Sequence, residues 1–338
     1  MLQYVIKRIL LFIPTLIIIT MITFLICRLA PGDPTEMKIG KTMEGKLADG
    51  KNVINEQAKK FYKKKFGLDK PLYEQYYIWM KNMVQGDFGN SFKDDRPVID
   101  KILERLPLTF SIQLASIFLI YIVAIPVGIY SAAKQYSFGD KASTVVLFIL
   151  YSLPNFWIAT LAIVFLCNVE YWKIFPTSGV QSLTYEYMGF FEQIKDKVMH
   201  LFLPVLILSL GSFAFLSKQM RSSMLEVIRQ DYIRTAKAKG LSDRKVIYKH
   251  ALRNSLIPIL TLLASILPAM VGGSYIIETI FSLPGIGQLG IQAIFDRDYP
   301  LIMAQLVFVS FLTVLGILIV DILYAFVDPR IAFDKKTV

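Results

Sequence analysis

Six apolar runs stand out along the chain, each bounded by charged or turn-forming residues. They lie at about Ile9–Cys27, Leu106–Ala133, Ala142–Leu166, Leu201–Ser217, Ser255–Ile277 and Leu301–Val320. A hydrocarbon core about 30 Å thick needs roughly 17–25 helical residues to cross it. Backbone groups left unpaired in lipid are too costly to tolerate, so all six are expected to be helices. The fourth run is the shortest match to that length. Prolines at 14, 126, 154, 204, 258 and 268 fall within or beside the runs and are expected to kink some of them.

Polar segments between the runs set a topology. The segment 218–254 alone carries ten Lys/Arg, and Lys7, Arg8, Lys134, Lys141, Arg330, Lys335 and Lys336 fall on the same side. The two short loops opposite carry only Lys173, Lys195, Lys197 and Arg297. Cytoplasmic loops hold the excess of positive charge, so both termini are expected inside. The first run exceeds a signal-peptide core of about 7–15 residues, and Arg28-Leu29-Ala30 is a poor cleavage site, so the helix is expected to stay. The expected divisions are an N-terminal helix 1–30, an external subdomain 31–105, a five-helix core 106–327 with its cytoplasmic loop 218–254, and a tail 328–338.

Composition agrees: 54% of the 338 residues are hydrophobic, and the mean hydropathy is +0.51. The net charge of +11 is spread over two membrane faces and reads as topology rather than nucleic-acid binding. Cys27 and Cys167 are expected to be packed as small apolar side chains rather than bridged. His200 and His250 are far apart in sequence, and no metal-ligand cluster is evident.

Within the external segment, Lys38–Lys65 is lysine-rich and expected to be partly flexible, with a short helix at Asn55–Phe66. Pro71–Val84 is aromatic on one side. It suits either a helix at headgroup level or a small aromatic core. Val98, Ile102 and Leu106 recur every four residues and predict a helix leading into the second run.

The most informative stretch is Asp231–Pro258. Asp231 suits an N-cap for a helix Tyr232–Lys239. Gly240 suits the left-handed position that ends it, and Leu241 is placed to fold back on Ala236. Ser242 then suits the cap of a second helix running through Val246, Ile247 and Leu252 into the fifth run. The pattern is helix, sharp glycine turn, helix.

Arg234-Thr235-Ala236-Lys237-Ala238-Lys239-Gly240, with Pro258 beyond it, resembles the EAA motif of ABC importer permeases. FGLDKPLYEQY at 66–76, GDFGNS at 86–91, LPLTF at 106–110, ETIFSLPGIGQLGIQAIFDRDYPL at 278–301 and DILYAFVDPRI at 321–331 resemble the B-type subunits of the peptide/nickel permease family. The resemblance spans nearly the whole chain except Lys38–Lys65. It implies an all-α type I importer permease with six transmembrane helices in a bacterial cell membrane, forming half of a translocation pathway for oligopeptides or dipeptides. The implied partners are a homologous second permease subunit, two cytoplasmic ATP-binding subunits, an external substrate-binding protein and membrane lipid. No catalytic, metal or cofactor site is expected here, because ATP and magnesium would sit on the ATPases. The basic loop would be the coupling helix, with Tyr232, Ala236 and Leu241 filling an ATPase groove and Arg234, Thr235, Lys237, Lys239 and Gly240 completing the contact surface.

Gly272, Gly273, Ser274 and Glu278 are candidates for a gate or pathway. Gly285-Ile286-Gly287-Gln288-Leu289-Gly290 fits G-x-G-x-x-G but lacks a βαβ setting and reads as a tight external loop. Gly40-Lys41-Thr42 lacks the first glycine of a phosphate loop. Asp321 sits near an interface, where pairing or capping competes with substrate contact. A secondary transporter is the alternative function, and the same importer class carrying nickel complexes or another small solute is the nearer one. Proton-coupled carriers keep ionisable groups in mid-span, and the central parts of these six runs hold no Asp, Glu, Lys, Arg or His.

Overall fold

Apolar runs in this chain do become helices, and two of the runs are broken within, one at Pro154 and one at Gly273. The computed structural model describes residues 2–29, 69–262 and 266–327. Among these residues there is no strand, only an isolated bridge between Asn90 and Pro97. The expected helix at Asn55–Phe66, the 38–65 insertion and the 328–338 tail lie outside the described residues.

The helices are α1 (Leu2–Leu29), α2 (Leu72–Val84), α3 (Val98–Ala133), α4 (Phe138–Ser152), α5 (Asn155–Ala162, continued by a π-turn Ile163–Cys167) and α6 (Phe190–Ile228). They are followed by α7 (Asp231–Ala238), α8 (Asp243–Lys245, continued by a π-turn Val246–Ala251), α9 (Leu252–Ser255), α10 (Ile257–Thr261), α11 (Ile266–Gly272), α12 (Tyr275–Ile280), α13 (Ile286–Phe295) and α14 (Tyr299–Val327).

Among the described residues, four stretches are continuous, long and apolar enough to cross a membrane: Arg8–Leu29, Val98–Ala133, Phe190–Ile228 and Tyr299–Ile322. The expected third span is not one rod. It breaks by 92° between α4 and α5. Pro154 excludes the helical conformation from the residue before it, and Leu153 is extended at φ −84°, ψ 129°. The expected fifth span is likewise divided, into α9 to α12, with Gly273 left-handed at φ +66° between α11 and α12. The fourth span reaches well beyond Leu201–Ser217 at both ends, because the polar turns at its flanks continue the same 39-residue helix.

The described residues form two compact units. One falls within Met1–Pro107 and Leu289–Leu318, the other within Leu108–Gln288 and Ile319–Val338. In the first, Phe24, Cys27, Tyr299 and Met303 are buried, with Tyr76, Trp79 and Phe92 packed against them. The Tyr76 and Trp79 rings lie 5.5 and 5.7 Å from that of Phe24. Thus the inner side of α2 serves an aromatic core, while Tyr73 and Tyr77 stay exposed. Val98 and Ile102 are buried, as the spacing of four requires.

A polar chain crosses this unit. Phe92 donates its N–H to Asp298 Oδ1 at 2.9 Å, and the Ser91 hydroxyl donates to the other oxygen. Lys101 Nζ donates to Ser91 Oγ at 2.9 Å and to Asp94 Oδ2 at 2.8 Å. Ser91 and Asp298 are buried, so each polar atom in the chain needs the partner it has.

In the second unit, two apolar clusters form the core. Ile112, Leu203, Ile207, Ile277 and Leu283 build one, with Cys167 buried in it. Ala124, Ile129, Leu216, Met220, Met224, Ile233, Val246 and Ile259 build the other. Both cysteines are free thiols, each in its own cluster, as expected from their apolar settings.

Candidate functional site

The basic loop is a helix, a glycine turn and a second helix. Helix α6 ends at Arg229, Gln230 turns extended at φ −71°, ψ 150°, and α7 begins at Asp231. Asp231 is therefore the first helical residue rather than the cap, and Gln230 makes no side-chain cap bond. The carboxylate still sits where the helix N-terminus favours negative charge.

At the other end of α7, Gly240 takes φ +78°. Its N–H donates to the Lys237 carbonyl at 2.9 Å, and the Leu241 N–H donates to the Ala236 carbonyl at 3.4 Å. Those two bonds close a Schellman motif and satisfy carbonyls that α7 would otherwise leave open. Leu241 packs against the cluster that contains Ala236, the apolar contact the motif requires. Ser242 holds the N-cap position of α8 at φ −60°, ψ 145°, with no side-chain cap bond; its carbonyl accepts from Val246 N–H at 3.0 Å.

One side of the loop is welded to the helices beneath it. Ile233 and Val246 are each 1% exposed and Ala251 is fully buried. Burying Ile233 alone contributes about 1.5–3 kcal/mol. Met220 and Met224 of α6 and Ala124, Ile129 and Ala132 of α3 complete the cluster. Gly128 of α3 permits the approach, since a Cβ there would meet Met220 Cβ and the Ser217 carbonyl at 2.7 Å. Ser223 Oγ donates to the Ser255 carbonyl at 2.8 Å, tying α6 to α9. The Asn254 amide donates to the Tyr232 hydroxyl at 2.7 Å.

The other side is exposed and basic. Tyr232, Arg234, Thr235, Lys237, Lys239 and Gly240 face outward, joined by Arg244 and Lys245. Exposed ion pairs link Arg234 to Asp231 at 3.5 Å and Lys237 to Asp243 at 3.7 Å. Ala236 is 7% exposed and Leu241 half-buried. The 3.6-residue period of α7 turns Ala236, with Ile233, toward the chain's own core, while Leu241 keeps part of its surface exposed.

A second constellation lies around Glu278, which is 4% exposed. Its carboxylate accepts from Ser274 N–H at 3.2 Å and Gln288 N–H at 2.7 Å, and Thr109 Oγ1 lies 3.4 Å away. The Ile286 N–H donates to Thr109 Oγ1 at 2.8 Å. Three glycines close round this group: a Cβ on Gly273 would meet Gly287 N at 2.5 Å and Glu278 Oε1 at 2.7 Å, and one on Gly285 would strike the carboxylate. So Gly273, Ser274 and Glu278 are brought together, while Gly272 ends α11 with open space around it. Glu278 is enclosed, with its carboxylate held by two backbone N–H groups and by Thr109. The glycines of G-x-G-x-x-G serve this loop, not a phosphate. Thr109 was missed as a candidate, although it lies within LPLTF.

Among the described residues, no group of His, Cys, Asp or Glu is arranged to hold a metal. Several apolar helices and one basic helix–turn–helix loop are the features that known proteins have to match. Residues 124–333 match the family described as binding-protein-dependent transport system inner membrane component, and residues 1–113 match its N-terminal membrane-component family. This chain belongs to that permease family. It is the permease subunit of an ABC importer and a multi-pass membrane protein.

Among relatives, the permease is 42% identical over 334 residues to the oligopeptide transport system permease protein AppB of Bacillus subtilis, covering 98% of this chain and 100% of the relative. It is 36% identical over 338 residues to the dipeptide transport system permease protein DppB of the same species, covering 99% and 100%. It is also 33% identical over 361 residues to the peptidoglycan transport system permease protein YejB of Agrobacterium fabrum, covering 99% of each chain.

Proposed function

We propose that this permease carries oligopeptides or dipeptides inward and that α7 with its glycine turn is the element through which ATP hydrolysis on partner subunits drives it. Relatives named for oligopeptide and dipeptide transport, aligned over their whole length, support the cargo. The carrying observation for coupling is the Schellman-closed knob whose inner side is locked to α3 and α6. Force on such a knob moves packed helices rather than bending a loop, which suits alternating access by rocking.

The working surface is then Tyr232, Arg234, Thr235, Lys237, Lys239 and Gly240, with Ala236 and Leu241 supporting it from within. The assembly comprises this chain, a homologous permease, two ATP-binding subunits that hold ATP and magnesium, and an external binding protein. Six membrane crossings are proposed, with the broken pairs each serving as one, both termini in the cytoplasm and the 31–105 segment outside. Gly272, Gly273, Ser274 and Glu278 remain proposed as a gate or part of the pathway.

The test is a Lys237→Cys variant in the assembled importer; Cys27 and Cys167 are buried and give little background. A short thiol-reactive cross-linker should join position 237 to an ATPase subunit, and a membrane-impermeant thiol reagent applied to intact cells should leave it unlabelled. Labelling from outside, or no cross-link to an ATPase, would overturn the coupling role.

A further inference from the structure

The second unit carries a groove of about 400 Å³ between α4 and α6, with Ser131 of α3 on its wall. Its size falls within the range of ligand pockets, about 300–1,000 Å³. Its lining is divided. Phe148, Tyr151 and Phe215 form an apolar wall and are all largely exposed. Lys218 and Arg221 supply positive charge to the same groove.

The two cations differ in their commitments. Arg221 already grips Asp140 through Nε at 3.1 Å and Nη2 at 3.0 Å, which neutralises it. Lys218 is exposed and forms no ion pair among the described residues. It lies one turn from Phe215 on a helix long and apolar enough to cross a membrane. Lys218 opens the basic 218–254 segment assigned to the cytoplasmic side, so it stands at headgroup level, where a basic residue attracts anionic lipid. A soluble anion would satisfy Lys218 and leave the aromatic wall wet; a neutral apolar ligand would do the reverse. A molecule with one anionic end and a long apolar body answers both, and basic pockets between membrane helices take anionic lipid headgroups.

We propose that this groove binds one anionic phospholipid, its phosphate on Lys218 and an acyl chain along Phe148, Tyr151 and Phe215. The Ser131 and Thr144 hydroxyls, also on the wall, suit the polar glycerol region.

The experiment uses the assembled, delipidated importer carrying Phe148→Trp, which places a fluorophore on the wall. Brominated phosphatidylglycerol should quench it strongly and brominated phosphatidylcholine weakly. Adding Lys218→Ala should weaken the phosphatidylglycerol affinity about fivefold, and Lys218→Arg should retain it. Millimolar inorganic phosphate should not displace the lipid. Equal quenching by both lipids, indifference to Lys218→Ala, or displacement by phosphate alone would overturn the proposal. So would the absence of quenching by either lipid, the result expected if the second permease covers the groove.

Discussion

Gly285 lies flat against the Glu278 carboxylate, so that a Cβ on the glycine would occupy the carboxyl group's own volume. Glu278 is held from other sides by the Ser274 and Gln288 N–H groups and has nowhere to retreat. Gly285→Ala is therefore expected to cost about 1–3 kcal/mol or more by overpacking, seen as a lowered melting temperature of the purified importer. Gly272→Ala, where nothing lies within 4 Å of the added carbon, should leave the melting temperature nearly unchanged.

Thr109 serves the same loop from α3. Its hydroxyl accepts the Ile286 N–H at 2.8 Å while fully buried. Thr109→Val keeps the shape and removes the acceptor, and should lower stability by about 1 kcal/mol or more. Thr109→Ser should restore most of it in the same melting assay.

At Gly240 the expectation separates strain from space. Nothing crowds the residue, so only its φ of +78° opposes a side chain. Gly240→Val should strain the turn by about 1 kcal/mol or more and reduce ATPase stimulation by the loaded binding protein, with the subunit still inserted. Gly240→Asn, which tolerates the left-handed region, should retain most of the stimulation. Equal activity in both variants would argue against a positioned knob.

Asp140 and Arg221 join α4 to α6 by two parallel hydrogen bonds, with Asp140 also accepting the Tyr136 N–H at 2.9 Å. A double-mutant cycle with Asp140→Asn and Arg221→Gln should give a coupling energy of about 0.5–3 kcal/mol in melting experiments. Additive losses would mean that the pair is not formed.

Acid sensitivity is expected near Asp94, outside the spans. Partial burial raises its pKa, but hydrogen bonds from Lys101 and Ser91 outweigh that and hold the carboxyl below its ordinary value. Its stabilisation is complete above the unfolded value of about 3.9 and is lost as pH falls through the folded value. Protection factors of residues 91–101 in the folded importer, corrected for the pH dependence of intrinsic exchange, should stay flat from neutrality to about pH 5 and fall below about pH 4. In Asp94→Asn that acid step should shrink.

The turn at 231–241 was legible because its determinants are local. A left-handed position favours glycine wherever the chain goes next, and the apolar partner of the motif lies five residues back at Ala236. The Pro154 break was legible as a site of distortion, since a proline restricts the residue before it, but not as a 92° bend, which depends on how α4 and α5 pack on α6. The aromatic stripe on α2 left two outcomes open, and burial against Phe24 decided between them for Tyr76 and Trp79.

Apolar run length, charge bias and turn residues determined that this chain is a helical membrane protein with one structured basic loop, because helix formation in lipid and capping are short-range requirements; the permease reading came from the resemblance of its motifs. Tertiary structure alone decided that Ala236 faces inward, that Glu278 is enclosed and that Ser91 meets Asp298. Ser91 meets Asp298 across 207 positions and Thr109 meets Glu278 across 169, and nothing in either local sequence carries the identity of so distant a partner. Ala236 differs: its neighbours were known, but which side of α7 meets the core is settled only when α3 and α6 close around it.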